Sequence, residues 1–137
     1  MKIVGVRSED LSKVWHLIAP LLASACEHAD GMLDVPTLRY WIETNVAQLW
    51  IVVSDNSVIA AAVTKIITTP KDRTLHICTL GGTRMNEWLD TLITEFDAFA
   101  KHYQCRFLAQ CGRTGWSKIL KNRGWKVARL TMTKELK

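Results

Sequence analysis

At 137 residues, with 48% hydrophobic and 23% charged residues, the chain is expected to be one domain, 1–137, large enough to bury a real core. The opening MKIVGVRSEDL holds no apolar run long enough for a signal peptide, and no segment could span a bilayer, so the cytoplasm is the expected compartment. The net charge of +5 gathers in the last third, from Arg106 to Lys137, without the aromatic interleaving that stacks bases; it suits an anionic ligand such as a phosphorylated cofactor better than nucleic acid.

Lys2 to Val6 reads as a short strand. Ser8-Glu9-Asp10 then makes an acidic, capped helix start, and Leu11, Val14, Trp15, Ile18 and Leu22 form its buried face. Pro20 should bend or restart that helix, and Asp30-Gly31 should stop it. Pro36 suits the first turn of a second helix, with Leu38, Trp41, Ile42 and Val46 on one face. From Gln48 the period changes to two. Leu49 to Ser54 is a strand, Asp55-Asn56 a tight turn, and Ser57 to Thr69 the return strand. Pro70-Lys71-Asp72 turns again into a strand from Thr74 to Leu80, completing an antiparallel meander.

Gly81-Gly82 leads into a helix over 84–103, where Met85, Trp88, Leu89, Leu92, Phe96, Phe99, Ala100 and Tyr103 make one apolar stripe. Thr83 or Asn86 can cap its start. Cys105 to Cys111 is a mostly apolar strand, so strand, helix and strand should form a parallel βαβ unit. A short helix from about Thr114 to Asn122 closes at Gly124. Val127 to Leu136 then alternates Ala128, Leu130 and Met132 with Arg129, Thr131 and Thr133, the pattern of a terminal strand.

Several residues in this frame carry chemistry. Backbone N–H groups at a strand-to-helix corner favour an anion, although a glycine pair also serves simply to let the chain turn. His76 and Cys78 alternate with Leu75 and Ile77 and share one side of their strand. The histidine could accept a proton and the thiol could be acylated; a packed histidine and an inert thiol are the plainer alternatives. Arg113 could meet a phosphate, and Trp116 could wall a ligand groove. The other five tryptophans read as core, as do Tyr40 and Tyr103 on their helix faces. Cys26, Cys78, Cys105 and Cys111 contain no CxxC pair, which speaks for reduced thiols and against a metal site.

The order β-α-α-β-β-β-α-β-α-β, a mixed-sheet α/β fold, resembles the GNAT superfamily of acyl-CoA N-acyltransferases over nearly the whole chain. The segment GRTGWSKILKNRGW, ending in Gly124 and Trp125, looks like that family's fourth helix with its aromatic-x-x-x-Gly-aromatic ending. Compact length and irregular motifs also resemble the divergent GNAT-like proteins of tailed phages. The resemblance implies acetyl-CoA as cofactor, running along Thr79, Leu80, Gly81, Gly82, Thr83, Arg84 and Asn86 and along Arg113, Trp116 and Ser117, with His76 and Cys78 flanking the acyl group. It departs from the family in two places. Aligning Arg84 with the start of the phosphate loop puts Glu87 and Leu89 where small residues belong, and Leu120 stands where many members carry a proton-donating tyrosine. Two readings follow: an N-acetyltransferase acting on a small-molecule or protein amine, or a catalytically silent binding or assembly module of phage or prophage type. Neither a membrane nor nucleic acid is expected as partner; a homodimer stays open.

Overall fold

The computed structural model describes residues 1–27, 33–111 and 114–136. Five strands, β1 (Lys2–Val6), β2 (Gln48–Ser54), β3 (Ser57–Thr68), β4 (Arg73–Gly82) and β5 (Phe107–Gln110), form one sheet in that order. β1 to β4 pair antiparallel and β5 joins β4 in parallel. Helices α1 (Leu11–Cys26) and α2 (Val35–Glu43) follow β1, α3 (Met85–His102) links β4 to β5, and α4 (Thr114–Lys121) follows β5.

The sheet divides two cores. On one face Trp50, Val52, Leu75 and Ile77 pack with Trp88, Leu89, Leu92 and Phe96 of α3. On the other Leu49, Ile51, Ala61 and Val63 pack with Leu11, Ile18 and Leu22 of α1 and Leu38 and Ile42 of α2. A polar chain crosses the first core: the Trp50 indole N–H donates to Thr64 Oγ1 at 2.9 Å, and that hydroxyl donates to Gln48 Oε1 at 2.9 Å.

Local chemistry explains most boundaries. α1 runs unbroken through Pro20, and both Pro20 and His16, the residue whose carbonyl a proline at this position cannot bond, are exposed. The expected stop at Asp30-Gly31 lies outside the described residues. Ser8–Asp10 forms a 3-10 turn rather than a side-chain cap; Asp10 pairs with Arg7 at 3.3 Å and Lys13 at 3.1 Å instead. α2 is capped by Asp34, whose carboxylate accepts from the Thr37 N–H at 2.8 Å, with Pro36 in the first turn. The β2–β3 hairpin turns on Asp55 (φ 51°) and Asn56 (φ 63°), the left-handed pair that a two-residue turn requires.

Four expectations need correction. The last segment, Val127 to Leu136, is not a strand: it has no regular structure, and Leu130 and Met132 are 79% and 85% exposed. Alternation marks a segment able to be a strand but supplies no edge for it. Neither Thr83 nor Asn86 caps α3; Arg84 holds the cap position in left-handed conformation (φ 59°) without a side-chain hydrogen bond. Tyr40 and Tyr103 are exposed, Tyr40 lying off the Leu38–Ile42 stripe and Tyr103 past the last turn of α3, its ring tilted against Phe99 with centroids 4.6 Å apart. Val46 lies beyond α2 and is exposed.

Candidate functional site

The site begins where two parallel strands part. β4 and β5 pair from Thr74–Phe107 to Ile77–Gln110, and there the β5 strand ends. The rest of β4, Cys78 to Gly82, keeps β3 on one side and, among the described residues, has no strand on the other. At the same level β4 bulges. Val63 pairs with Thr79 and Thr64 with Ile77, leaving Cys78 as an extra residue. The bulge reverses the alternation, so Thr79 faces α1 and Leu80 faces α3. Nothing in the sequence around Cys78 signals it.

Both glycines lie inside β4, paired with Ala61 and Ala60, and not at a corner. A Cβ on Gly81 would meet the Leu21 carbonyl oxygen at 2.7 Å and Ala25 Cβ at 3.1 Å; one on Gly82 would meet Ala60 Cα at 2.5 Å. Their smallness serves the approach of α1 and β3 to β4. The turn itself falls on Thr83 and Arg84, where the Thr83 N–H donates to the Ile59 carbonyl and the Thr83 carbonyl accepts the Trp88 indole N–H at 2.7 Å.

The start of α3 offers N–H groups without intrahelical partners, at the positive end of the helix dipole. Arg84 stands over them, but its guanidinium is engaged by Glu87, with Nε to Oε2 at 2.5 Å and Nη2 to Oε1 at 2.9 Å, and reaches Ser54 Oγ at 3.5 Å. The hydrogen bond to Arg84 lowers the Glu87 pKa, and the same bond raises that of Arg84. Glu87 thus neutralises Arg84 across the first turn, a pairing readable at a spacing of three. Asn86 is exposed beside them.

On the face toward α1 and α2, half-buried His76 lies opposite Lys65 of β3 and Ala109 of β5. Burial, then the Lys65 charge, lower its pKa, so the imidazole is neutral near pH 7. The Lys65 ammonium sits over the Trp41 ring at 4.3 Å; neither residue was a sequence candidate. Burial pushes the Cys78 thiol up to about 11, which withholds the thiolate that acylation needs. Thr79 is 6% exposed and its hydroxyl has no hydrogen-bond partner among the described residues. Cys111, just past β5, is exposed.

Arg113 lies outside the described residues. Trp116 is half-buried against the α3 core and Ser117 is half-buried. Leu120 is buried, and Arg123 ties the end of α4 to Asp90 of α3 at 2.5 Å. The structure therefore places Cys78 and Thr79 on the α1 face and Leu80 on the α3 face of the open half of β4, His76 just before it where β5 still pairs, and Arg84 and Asn86 beyond its end. A cavity of about 300 Å³ lies elsewhere, at the β1–β2 edge, walled by Val6, Gln48, Trp50 and Phe99. It holds none of these residues, and the open β4 edge is the better candidate because it leads into the N-terminal end of α3. Among the described residues no His, Cys, Asp and Glu cluster suits a metal, and no helix is long and apolar enough to cross a membrane.

The whole backbone, meander, βαβ unit and following helix together, superposes on solved structures. A probable acetyltransferase superposes with a TM-score of 0.74, at 16% identity over 100% of this chain and 97% of the other. The fold is that of the GNAT acyltransferases. Ribosomal-protein-alanine N-acetyltransferase from Brucella melitensis biovar Abortus 2308 matches with a TM-score of 0.75, at 14% identity over 99% of this chain and 100% of that one. An acetyltransferase solved with acetyl-CoA from Clostridium acetobutylicum gives 0.71 at 13% identity, over 98% and 95% of the two chains. No protein-family model matches the sequence, and no curated protein does. The GNAT likeness is thus carried by the backbone, while side chains have diverged.

Proposed function

We propose that this GNAT-fold chain is an acetyl-CoA-dependent N-acetyltransferase whose acyl group is held where β4 parts from β5. The observation that carries the reading is the open, bulged half of β4 running directly into the N-terminus of α3. Acetyl-CoA would supply the activated acyl group. Thr79 to Leu80 and the first N–H groups of α3 would hold it, with Arg84 as the cation beside its phosphates. Neutral His76 would take the proton that the acceptor amine gives up. Cys78 stays a protonated thiol, so direct transfer to the amine is favoured over an acyl-cysteine. Leu120 cannot donate a proton, so the departing sulfur would be protonated from water.

The acceptor is a small-molecule or protein amine. Mass-spectrometric detection of acetyl transfer to a panel of amines, compared between wild type and His76→Gln, tests the reading; transfer that His76→Gln leaves unchanged removes the histidine from it. The Arg84–Glu87 pair and the packing use of both glycines favour one rival, a silent GNAT-fold assembly module of phage type that no longer holds coenzyme A.

A further inference from the structure

Gly5 stands on β1 opposite Trp50, on the face that Ile3 turns toward the α3 core. A Cβ there would meet nothing within 4 Å, because the residue opens onto the cavity at the β1–β2 edge. That cavity, about 300 Å³, is at the small end of the range for small-molecule sites. Two of its walls are aromatic. The Trp50 ring meets Phe96 and Phe99 edge-on, with centroids 5.2 Å and 5.4 Å apart, and is only 8% exposed. Trp50 is therefore a fixed wall, and half-buried Phe99 stands nearly perpendicular to it at 87°.

A buried relay orients the polar group beside those rings. The Trp50 indole can only donate, so its 2.9 Å bond makes the Thr64 oxygen an acceptor. Thr64 is fully buried, and its own hydroxyl proton goes to Gln48 Oε1, also at 2.9 Å. The amide of Gln48 is thereby fixed with its oxygen toward Thr64. The two donors of its NH2 group are left for the cavity that Gln48 lines. Arg7, at the rim, is engaged by Glu9 at 3.0 Å and Asp10 at 3.3 Å, so it is no spare cation for an anionic ligand.

We propose that this cavity binds a neutral, planar ring compound bearing a carbonyl oxygen. The ring lies over Gly5 against Trp50 and Phe99, and the carbonyl accepts from the Gln48 NH2 group. Aromatic walls with one oriented donor are the usual make-up of a site for such a molecule. The inference stands apart from acetyl transfer, since β3 separates this edge of the sheet from β4.

Titration of the isotope-labelled full chain with benzamide, followed by nuclear magnetic resonance, tests it. Benzamide should bind with a Kd of about 1 mM or tighter and move the Trp50 indole and Gln48 amide signals. Benzoate, the charged counterpart, should bind more weakly. Gln48→Glu keeps an oxygen for Thr64 but replaces the donors with an acceptor, and should weaken benzamide at least about fivefold. Gly5→Leu fills the space and should abolish binding while the rest of the spectrum stays folded. No movement of these signals at about 10 mM benzamide would overturn the proposal, as would benzoate binding the tighter of the two. Binding that survives in Gly5→Leu, or in a folded Gln48→Glu protein, would overturn it equally. Where Gln48→Glu does not fold, Gly5→Leu decides alone.

Discussion

Gly81→Ala isolates what the glycine pair does. The added Cβ would stand 2.7 Å from the Leu21 carbonyl oxygen and 3.1 Å from Ala25 Cβ, both on α1. The first is backbone in the middle of a helix and cannot rotate away, so α1 must lift from β4 or the strand must shift. Forcing one methyl group into a packed contact costs about 1–3 kcal/mol. In a chain of this size each kcal/mol lowers Tm by roughly 3–5 °C, so a fall of roughly 3–15 °C is expected. Gly5→Ala is the control, since its Cβ would meet nothing within 4 Å; it should stay within about 0.5 kcal/mol of wild type. Urea unfolding reads both, through the midpoint at constant slope. If Gly81→Ala is as stable as Gly5→Ala, the packing explanation is wrong and the glycine is free for a ligand.

Thr64→Val should cost about 1–3 kcal/mol in the same assay, because the buried Trp50 N–H loses its acceptor. His76 has a folded pKa below its unfolded one, so its neutral form is favoured by folding; stability is full above pH 6.5 and falls as the pH drops through the lowered folded value, a slope that His76→Gln should reduce. Alkylation with iodoacetamide at pH 8, followed by peptide mass spectrometry, should label exposed Cys111 well before Cys78; rapid labelling of Cys78 contradicts its raised pKa. Glu87→Gln frees the Arg84 guanidinium and should tighten coenzyme A binding about two- to fivefold by calorimetry, with a slightly lower Tm without ligand; unchanged affinity means Arg84 does not face the phosphates.

The sequence was most legible where one side chain decides one local geometry. Pro36 starts α2, Asp55-Asn56 set the hairpin, and the stripe from Trp88 to Ala100 defines α3 and with it the parallel β4–β5 pair. What it hid were matters of partnership. Whether Gly81 faces a phosphate or a helix carbonyl depends on how closely α1 packs, which no spacing records. The Cys78 bulge is a register between two strands, and the alternation from Val127 to Leu136 does not say whether any strand pairs with it. Glu87 illustrates the same point: read along the chain it opposes an anion, and in the structure it is the partner of Arg84.

The central claim is that the open half of β4 and the start of α3 bind acetyl-CoA. Thermal unfolding with increasing acetyl-CoA tests it most directly, because a ligand that binds only the native state must raise Tm with concentration. The account predicts a saturable rise in wild type and a larger one at equal concentration in Glu87→Gln. No rise in either protein at millimolar acetyl-CoA would contradict it, leaving the GNAT fold without its cofactor.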